Sequence, residues 1–480
     1  MTELEFVKAA VDAKAEQTIE LSKEIWEFAE LAYEETKSAG ALSAALEKEG
    51  FSVTTGIAQI PTSIRAEYKS GSGRPVVGIL GEYDALDCLS QKAACPEKSP
   101  IVPDAPGHGC GHNLLGAGSF AAAVAIKDYL KETGRDGTVV FFGCPAEEGA
   151  GSKQFIARAG YFDDVDFVYT WHPASINEIP AKGEVAIIGA NFTFDGVAAH
   201  AGSSPHLGRS ALDAAELMNV GVNYLREHMP DAARVHYAYS DAGGTQPNVV
   251  PSHAVIKYEV RAPKVAGMQE LFARVVNIAK GAALMTETQM KYEVTMAFSD
   301  YLPSKTLAGV AEKCFQEVGA PEWTDEDCAL AAEFMRTYSK NTVKSIREEL
   351  EEYYAPEELD EVLKKPLDFR VRPFNYSEKV YVSGSTDVGD VGYAVPTLSI
   401  DVATACLVNV GHSWQNTAFS NSAIGYKGML TAAKVMALAA LRTMDSPETI
   451  EKAKAELLVK NGGRYVCPLP DYCNPPVGRY

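Results

Sequence analysis

Four polar clusters along this 480-residue chain contain side chains that bind metals or transfer protons. The first is PGHGCGHN, residues 106–113, which places the Cys110 thiol and the His112 imidazole on a backbone rich in glycine. Glycine permits unusual backbone conformations and the close approach of other groups, which suits a binding loop better than a core. The other three clusters each follow an apolar run, and they supply Glu147 and Glu148 in CPAEEG, His172 in WHP and His412 in GHS.

Together these residue types form a ligand set suited to a divalent metal ion. Thiolate and imidazole suit Zn²⁺, and Mn²⁺ fits a site to which carboxylates and imidazoles contribute. Because Glu147 and Glu148 are adjacent, one can bind metal while the other takes a proton from water, whose pKa falls to about 7 on a metal. Each cluster alone has a simpler interpretation: a histidine that caps a strand, an inert buried cysteine, or a solvated pair of glutamates. Their shared position after apolar runs favours the metal site.

The apolar runs before these clusters predict a parallel α/β sheet. The runs that open RPVVGILGEYDAL, GTVVFFGCPAEEGAG and DFVYTWHP are typical of buried strands. The segment HNLLGAGSFAAAVAIKDYLKETG is typical of an alanine-rich helix that ends at a glycine. The order strand, helix, strand indicates a parallel sheet, in which ligands bind beyond the carboxyl ends of the strands. Each polar cluster falls at such an end.

From about Gly183 the pattern changes to strands that alternate between apolar and polar residues. The segments that follow have the order β-α-β-β-α-β, which is the ferredoxin-like arrangement. We therefore predict a main domain formed by residues 1–182 and 299–480, with residues 183–298 as an inserted domain. The length of the chain also favours two domains over one. Helical patterns resume after the insertion, and the acidic stretch at 345–362 is interpreted as a solvated helical face.

Charge and composition argue against two classes of partner. The formal net charge is −20, whereas nucleic acids and anionic membranes both attract basic protein surfaces. No apolar stretch approaches the ~20 residues of a membrane span, and the N-terminal segment lacks the basic and apolar regions of a signal peptide. The nine cysteines are scattered without a paired framework, which indicates reduced thiols. We therefore expect a cytoplasmic protein.

The motifs GHGCGHN, CPAEEG, WHP and GHS, in this order, resemble those of the metal-dependent aminoacylase and carboxypeptidase family of amidohydrolases. The resemblance covers residues 15–440 approximately, and it is to the branch in which a cysteine replaces the bridging aspartate. It implies a centre for two Mn²⁺ or Zn²⁺ ions, with Cys110 as the bridging thiolate and Glu147 as the general base. The remaining metal ligands implied by the resemblance are His112, Glu148, His172 and His412.

The resemblance also implies roles for residues that do not bind the metal. Asp84, in GEYDALD, matches an aspartate that orients a metal-ligating histidine, and its alternative interpretation is a turn residue at a strand end. His200, Asn248 and Arg261 match residues that reach the substrate from the family's lid or dimerisation domain. His200 would stabilise the developing oxyanion, and Arg261 suits a bidentate clamp on a carboxylate. We expect a homodimer through the inserted domain, or a hetero-oligomer with a related subunit.

The reaction that the resemblance implies is hydrolysis of the amide bond of an N-acyl or N-aroyl amino acid, with p-aminobenzoyl-glutamate as the expected substrate. Three alternatives stay open: a dipeptidase or aminoacylase of the same family with another acyl group, a non-catalytic partner subunit, and a purely structural metal site. A structural zinc ion is normally closed by four ligands, whereas this set has five with a further carboxylate beside it. The intact Glu147 and the complete ligand set argue against a non-catalytic subunit.

Overall fold

The computed structural model describes residues 1–351, 355–374, 381–382 and 384–478. The helices that precede the inserted domain are α1 (Glu3–Ala13), α2 (Ala15–Phe28), α3 (Thr36–Lys48), α4 (His112–Thr133) and α5 (Lys153–Arg158). The strands of the same region are β1 (Ser52–Thr55), β2 (Ile64–Ser70), β3 (Val76–Gly81), β4 (Gly137–Gly143), β5 (Phe167–Ala174) and β6 (Gly183–Glu184).

The inserted domain and the second part of the main domain contain the remaining elements. The inserted domain has β7 (Ala186–Asp195), α6 (Ala211–Leu225), β8 (Arg234–Asp241), β9 (His253–Ala262), α7 (Val265–Thr286) and β10 (Gln289–Phe298). The main domain resumes with the helices α8 (Lys305–Val318), α9 (Asp325–Met335), α10 (Lys340–Leu350) and α11 (Pro356–Leu363). It ends with β11 (Tyr381–Val382), α12 (Val388–Ala394), β12 (Thr397–Ala403), α13 (Trp414–Phe419), α14 (Ala423–Met444) and α15 (Pro447–Asn461).

The central sheet of the main domain has the strand order β1-β2-β4-β3-β5-β12. Strand β3 pairs in parallel with both β4 and β5, and β12 pairs in parallel with β5. Strands β1 and β2 add an antiparallel edge. Helix α4 connects β3 to β4 and provides the long crossover that a parallel pair requires. This mostly parallel sheet confirms the predicted α/β fold class.

Helices α4 and α14 pack together against the central sheet and contribute to its largest apolar core. Helix α4 is buried along most of its length, in keeping with its run of alanine and other small residues. Helix α14 is long and apolar enough to cross a membrane, although no such stretch was expected from the sequence. In the structure, 78% of the most apolar part of α14 is buried, so α14 is a helix of the core.

The inserted domain forms a separate sheet with the order β10-β7-β9-β8, in which each neighbouring pair is antiparallel. Helices α6 and α7 pack against each other and against this sheet around a second apolar core. Strand β9 shows the expected alternation, with every second side chain buried. The chain order β7-α6-β8-β9-α7-β10 is the predicted ferredoxin-like order. The predicted domain boundaries at 183 and 298 stay predictions.

Two connections join the inserted domain to the main domain, and they lie side by side. Glu184 enters the inserted domain and Tyr301 follows its last strand, and their backbones exchange hydrogen bonds of 2.9 and 3.1 Å. Strand β6 also pairs in parallel with β11 of the main domain. Both Glu184 and Tyr301 line a cavity of about 410 Å³, so this junction forms part of its wall.

The acidic stretch at 345–362 lies on α10 and α11, apart from residues 352–354, which are outside the described part of the chain. Its described glutamates are exposed to solvent. Arg347 Nη2 lies 2.6 Å from Asp360 Oδ1 and links the two helices through an exposed ion pair. For the described residues, the prediction of a solvated helical face is confirmed.

Candidate metal centre

The glycine-rich loop presents Cys110 and His112 at the beginning of helix α4. Gly111, just before the helix, has a φ of 84°, a left-handed conformation that glycine adopts without strain. A Cβ atom on Gly107 would lie 2.2 Å from the backbone oxygen of Leu89, so only glycine fits at this position. The glycines therefore allow the loop to turn sharply between its neighbours while the thiol and the imidazole face the same cluster.

The loop that contains His412 packs directly against the glycine-rich loop. The backbone oxygen of Gly109 accepts hydrogen bonds from His412 N at 2.9 Å and from Asn416 Nδ2 at 2.6 Å. His412 itself has a φ of 55°, a left-handed conformation that is uncommon for residues other than glycine. Such backbone strain is concentrated at functional sites, where surrounding contacts maintain it. These contacts hold the His412 ring next to Cys110.

Two overlapping groups of side chains lie close enough to bind metal ions. The potential ligand atoms lie within 4.8 Å of one another in each group, and the groups are Cys110, His112, His172 and Cys110, Glu148, His412. Cys110 Sγ lies 3.4 Å from His172 Nε2, and His412 Nε2 lies 3.2 Å from Glu148 Oε1. Bonds of about 2.1 Å to one tetrahedral ion would place two ligand atoms about 3.4 Å apart. The structure brings all five predicted ligands together, with Cys110 common to both groups.

Unsatisfied buried atoms in this cluster show that its residues fit a metal ion. Within the described part of the chain, His112 Nε2 and Glu148 Oε1 form no hydrogen bond, although Glu82 and His412 lie within ion-pair distance of them. His112 Nδ1 lies 2.8 Å from Asp84 Oδ1, and His172 Nδ1 lies 2.8 Å from the oxygen of Pro173. Because Nδ1 of each ring donates to these acceptors, Nε2 keeps a lone pair for a cation. Leaving buried acceptors unsatisfied is costly, and a divalent ion would remove that cost.

Buried carboxylates hold the loop that contains the adjacent glutamates. Glu35 Oε1 accepts a hydrogen bond from Ala146 N at 2.8 Å, and Asp84 Oδ2 accepts one from Glu148 N at 2.9 Å. Ala146 has a φ of 63°, so these contacts maintain a second strained backbone conformation at the site. Asp84 thus contacts two predicted ligands, the His112 ring and the Glu148 backbone. This geometry favours a role for Asp84 in orienting His112 over a simple turn.

The adjacent glutamates differ in their tendency to bind a proton. Burial, and then the charges of Glu82 and Glu148, raise the pKa of Glu147 well above its usual range. Burial also opposes charge on Glu148, but the His412 and His112 imidazoles overcome it and lower the pKa of Glu148 to about 2. A carboxyl group with a raised pKa binds a proton readily, whereas one with a lowered pKa stays anionic. The raised pKa of Glu147 therefore suits a proton acceptor, and the lowered pKa of Glu148 suits a metal ligand.

Cys110 is a free thiol at the wall of the cavity. Burial raises its pKa above the ordinary value for cysteine, so the thiol stays protonated without a cation. A bound metal ion deprotonates a coordinating thiol outright. All nine cysteines of the chain are free, which agrees with the prediction of reduced thiols.

The cavity of about 410 Å³ opens onto this cluster. Its wall includes five residues of the candidate site, Cys110, Glu147, Glu148, His172 and His412. Three further acids, which we call the acidic wall, also line the cavity: Glu178, Glu184 and Asp401. Burial raises the pKa of Glu178 and of Glu184 to about 7. Burial, together with the charges of the other two acids, raises the pKa of Asp401 well above its usual range.

The predicted substrate residues of the inserted domain lie outside the cavity. His200 and Asn248 are exposed neighbours, and Ala201 N donates a hydrogen bond to Asn248 O at 2.9 Å. Neither side chain belongs to the described residues that line the cavity. Arg261 is also absent from that described lining, but its Nη1 donates to Ser385 Oγ at 3.2 Å, and Ser385 does line the cavity. Arg261 is thus near the cavity, whereas the structure does not bring His200 and Asn248 to it.

Three buried charged residues beside the cluster were not predicted from the sequence. Lys153 Nζ lies 2.7 Å from Glu82 Oε1 and also contacts Asp387 Oδ1. Glu82 lies two residues before Asp84. Because alternate residues of an extended chain share one face, this spacing indicates that Glu82 lies on the same side of the chain as Asp84. The local sequence contains no signal for the contact between Lys153 and Asp387, which are 234 positions apart.

A family model described as Peptidase family M20/M25/M40 matches residues 78–358. The B subunit of p-aminobenzoyl-glutamate hydrolase from Escherichia coli K12 is 40% identical over 478 residues, and the match covers 98% of each chain. The chain belongs to the M20 peptidase family. Another relative is the Xaa-Arg dipeptidase of Mus musculus, which is 29% identical, with 95% of this chain and 94% of that protein covered.

Two solved structures, one of them described as an M20 family peptidase, share this fold. A putative aminohydrolase from methicillin-resistant Staphylococcus aureus has a TM-score of 0.64 at 17% identity, with 92% of this chain and 99% of that chain covered. The YXEP protein of Bacillus subtilis, described as a dinuclear metal binding peptidase, has a TM-score of 0.58 at 17% identity, with coverage of 90% and 99%. Identities this low establish the fold alone.

Membership of the M20 family makes the chain a hydrolase that acts on amide bonds. The family resemblance inferred from GHGCGHN, CPAEEG, WHP and GHS is therefore confirmed. The individual roles of the site residues stay predictions, and the geometry described above is what supports them.

We expect Asp84→Asn to weaken metal binding about 10- to 100-fold, the usual cost of losing a partner that orients a ligand. An amide cannot accept hydrogen bonds from both His112 Nδ1 and Glu148 N, because one of its two polar atoms is a donor. Calorimetric titration of the metal-free protein with Mn²⁺ measures the change. Asp87→Asn, an exposed acid in the same loop, is the control and should bind as the wild type does. Undiminished affinity in Asp84→Asn would show that Asp84 orients no ligand.

Proposed function

We propose that the chain hydrolyses the amide bond of p-aminobenzoyl-glutamate, or of a closely similar N-acyl amino acid, at a dinuclear metal centre. The observation that carries the proposal is the position of Glu147, a half-buried carboxyl group with a raised pKa, beside five potential metal ligands on one cavity. The 40% identity to the E. coli hydrolase over nearly the whole chain supports the choice of substrate.

Two Mn²⁺ or Zn²⁺ ions, held by Cys110, His112, Glu148, His172 and His412, would polarise the amide carbonyl and make water more acidic. Glu147 accepts a proton from the attacking water as the water oxygen forms a bond to the amide carbon. The same carboxyl group donates this proton to the leaving nitrogen as the C–N bond breaks. One water is consumed, and the products are a carboxylic acid and an amino acid with a free amine.

Arg261 is the residue we assign to the carboxylate of the amino-acid half of the substrate. A guanidinium group presents a planar fork of donors that matches a carboxylate. The contact of Arg261 with Ser385, which lines the cavity, supports this assignment. Its positive charge would act with that of Lys182, which lines the cavity, to offset the acids of the described wall.

The acidic wall favours an acyl group that donates hydrogen bonds. Glu178, Glu184 and Asp401 offer acceptor oxygens in a half-buried setting, and the aromatic amine of a p-aminobenzoyl group is a matching donor. A second candidate substrate is a dipeptide with a basic residue, because the same acids would attract a cationic side chain. The 29% identity to a protein named Xaa-Arg dipeptidase supports this second candidate.

Substrate comparison tests the role of the acidic wall. We expect kcat/KM of the Mn²⁺-loaded protein to be at least about tenfold higher for p-aminobenzoyl-glutamate than for benzoyl-glutamate, since unpaired buried acceptors cost about 1–3 kcal/mol. Asp401→Ala should reduce this preference, whereas Ser399→Ala, at the same cavity wall and on the same strand, should preserve it. Equal kcat/KM values in the wild type would refute the assigned role. Faster hydrolysis of an Xaa-Arg dipeptide would favour the second candidate.

We also propose that the active site is completed by a neighbouring chain. His200 Nδ1 accepts hydrogen bonds from Gly202 N and Ser203 N, both at 3.1 Å, which leaves Nε2 directed elsewhere. Exposure of His200 and Asn248 supports a role in a neighbouring site, where His200 would stabilise the oxyanion. The neighbour is a second copy in a homodimer or a related protein in a hetero-oligomer. The hetero-oligomer has support from two E. coli relatives, whose names describe them as the A and B subunits of one hydrolase.

Mixing two inactive variants tests the homodimer. If His200 acts on its partner's site, a dimer of one His200→Ala chain and one Glu147→Gln chain has one intact site and one site with both defects. Random exchange makes about half of the dimers mixed, so activity should recover to about a quarter of the wild-type value. Exchange of chains is verified with two different tags. Exchange without recovery would show that His200 acts within its own chain or has no catalytic role.

A further inference from the structure

A series of buried ionic contacts runs behind the predicted metal ligands, from Asp387 through Lys153 and Glu82 to His112. Lys153 Nζ contacts Asp387 Oδ1 and lies 2.7 Å from Glu82 Oε1. The other carboxylate oxygen of Glu82, Oε2, lies 3.3 Å from His112 Nε2. The exposed fraction of the side chain is 4% for Glu82 and 0% for the other three residues.

Stability alone does not account for these contacts. Removing charged groups from water is costly, and well-packed apolar residues are often as stabilising in the same place. The contacts instead fix the orientation of each side chain in the series. Asp387 Oδ2 accepts hydrogen bonds from Ser152 N at 2.8 Å and Lys153 N at 3.0 Å, which anchors the beginning of helix α5 and its lysine. Lys153 then occupies one oxygen of Glu82, so that the second oxygen faces His112.

The second oxygen of Glu82 has the geometry of a metal ligand. Its 3.3 Å separation from His112 Nε2 lies between the 3.2 and 3.4 Å separations found among the predicted ligands. Glu82, His112 and Glu147 form a third group of potential ligand atoms within 4.8 Å of one another. The described residues give His112 Nε2 no hydrogen bond, and Glu82 Oε2 is the carboxylate oxygen that faces it. A cation bound by both atoms would occupy the nitrogen and the oxygen together.

We propose that Glu82 supplies an additional oxygen ligand to the cation bound by His112, and that Lys153 is the positioning residue for this oxygen. The inference rests on the dinuclear centre of the proposed function. Lys153 acts through Glu82, because it contacts neither the predicted ligands nor the substrate cavity within the described residues. Because Lys153 occupies one oxygen of the carboxylate, the other oxygen is the one that would be available to the cation. Asp387 holds Lys153 from the opposite side.

Metal binding by the double variant Lys153→Met/Asp387→Asn tests this inference. The double variant removes both charges of one buried pair and keeps side chains of similar size, but it leaves Glu82 without its buried cation, so the melting temperature of the metal-free protein is measured to verify that it folds. We expect one of the two Mn²⁺ ions to bind about 10- to 100-fold more weakly, as measured by calorimetric titration and elemental analysis. Glu82→Gln should show the same loss. Combining all three substitutions should cause no further loss, because Lys153 acts through Glu82.

Lys127→Met is the matched control. Lys127 is a buried lysine, with a 7% exposed side chain, that contacts Glu49 and Asp128 away from the described cavity lining, and its loss should leave both Mn²⁺ affinities unchanged. Wild-type affinity in the double variant, or in Glu82→Gln, would overturn the inference and leave the proposed function intact. If the double variant fails to fold, the Glu82→Gln result decides alone. A wild type that binds neither Mn²⁺ nor Zn²⁺ would overturn both proposals.

Discussion

The acidic groups of the candidate site lie close enough to repel one another, and the rest of the site must compensate for this repulsion. Glu82, Glu147 and Glu148 line the same cavity as the Cys110 thiol, and burial together with neighbouring negative charge raises the pKa of Glu147 well above its usual range. Positive charge relieves such repulsion without neutralising the acids. Lys153 and the neighbouring imidazoles supply part of that charge. Divalent cations would supply the rest and would hold the thiol as a thiolate.

The α/β sheet meets this requirement at the carboxyl ends of its parallel strands. Strand β3 leads to Asp84, β4 to the loop with the two adjacent glutamates, and β5 includes His172. The segment after β12 then brings His412 against the glycine-rich loop. Other carboxylates bind backbone N–H groups and keep these loops in strained conformations, as Glu35 does for the residue before Glu147. Some carboxyl groups therefore serve as potential metal ligands, and others hold the loops through hydrogen bonds to backbone N–H groups. The contacts of each carboxylate oxygen distinguish the two roles.

Much of this architecture could be predicted because the pattern of each element is local. The alternating strands of the inserted domain, the glycine at the end of α4 and the polar residues after the apolar strands are all visible within short windows. The contacts of Lys153 with Asp387 and of Glu35 with Ala146 join residues 234 and 111 positions apart, so no short window contains them. The strained φ values of Ala146 and His412 are also set by tertiary contacts, because neither residue type favours that conformation.

The central claim is that Glu147 transfers protons while its neighbour Glu148 binds metal. The most direct measurement compares bound metal and turnover of p-aminobenzoyl-glutamate in Glu147→Gln and Glu148→Gln. We expect Glu147→Gln to retain the metal content of the wild type and to lose turnover by about 100-fold or more, because an amide cannot accept the proton of water. We expect Glu148→Gln to lose metal as well as turnover, because an uncharged amide is a poorer ligand than a carboxylate. Retained metal in Glu148→Gln together with metal loss in Glu147→Gln would contradict this assignment.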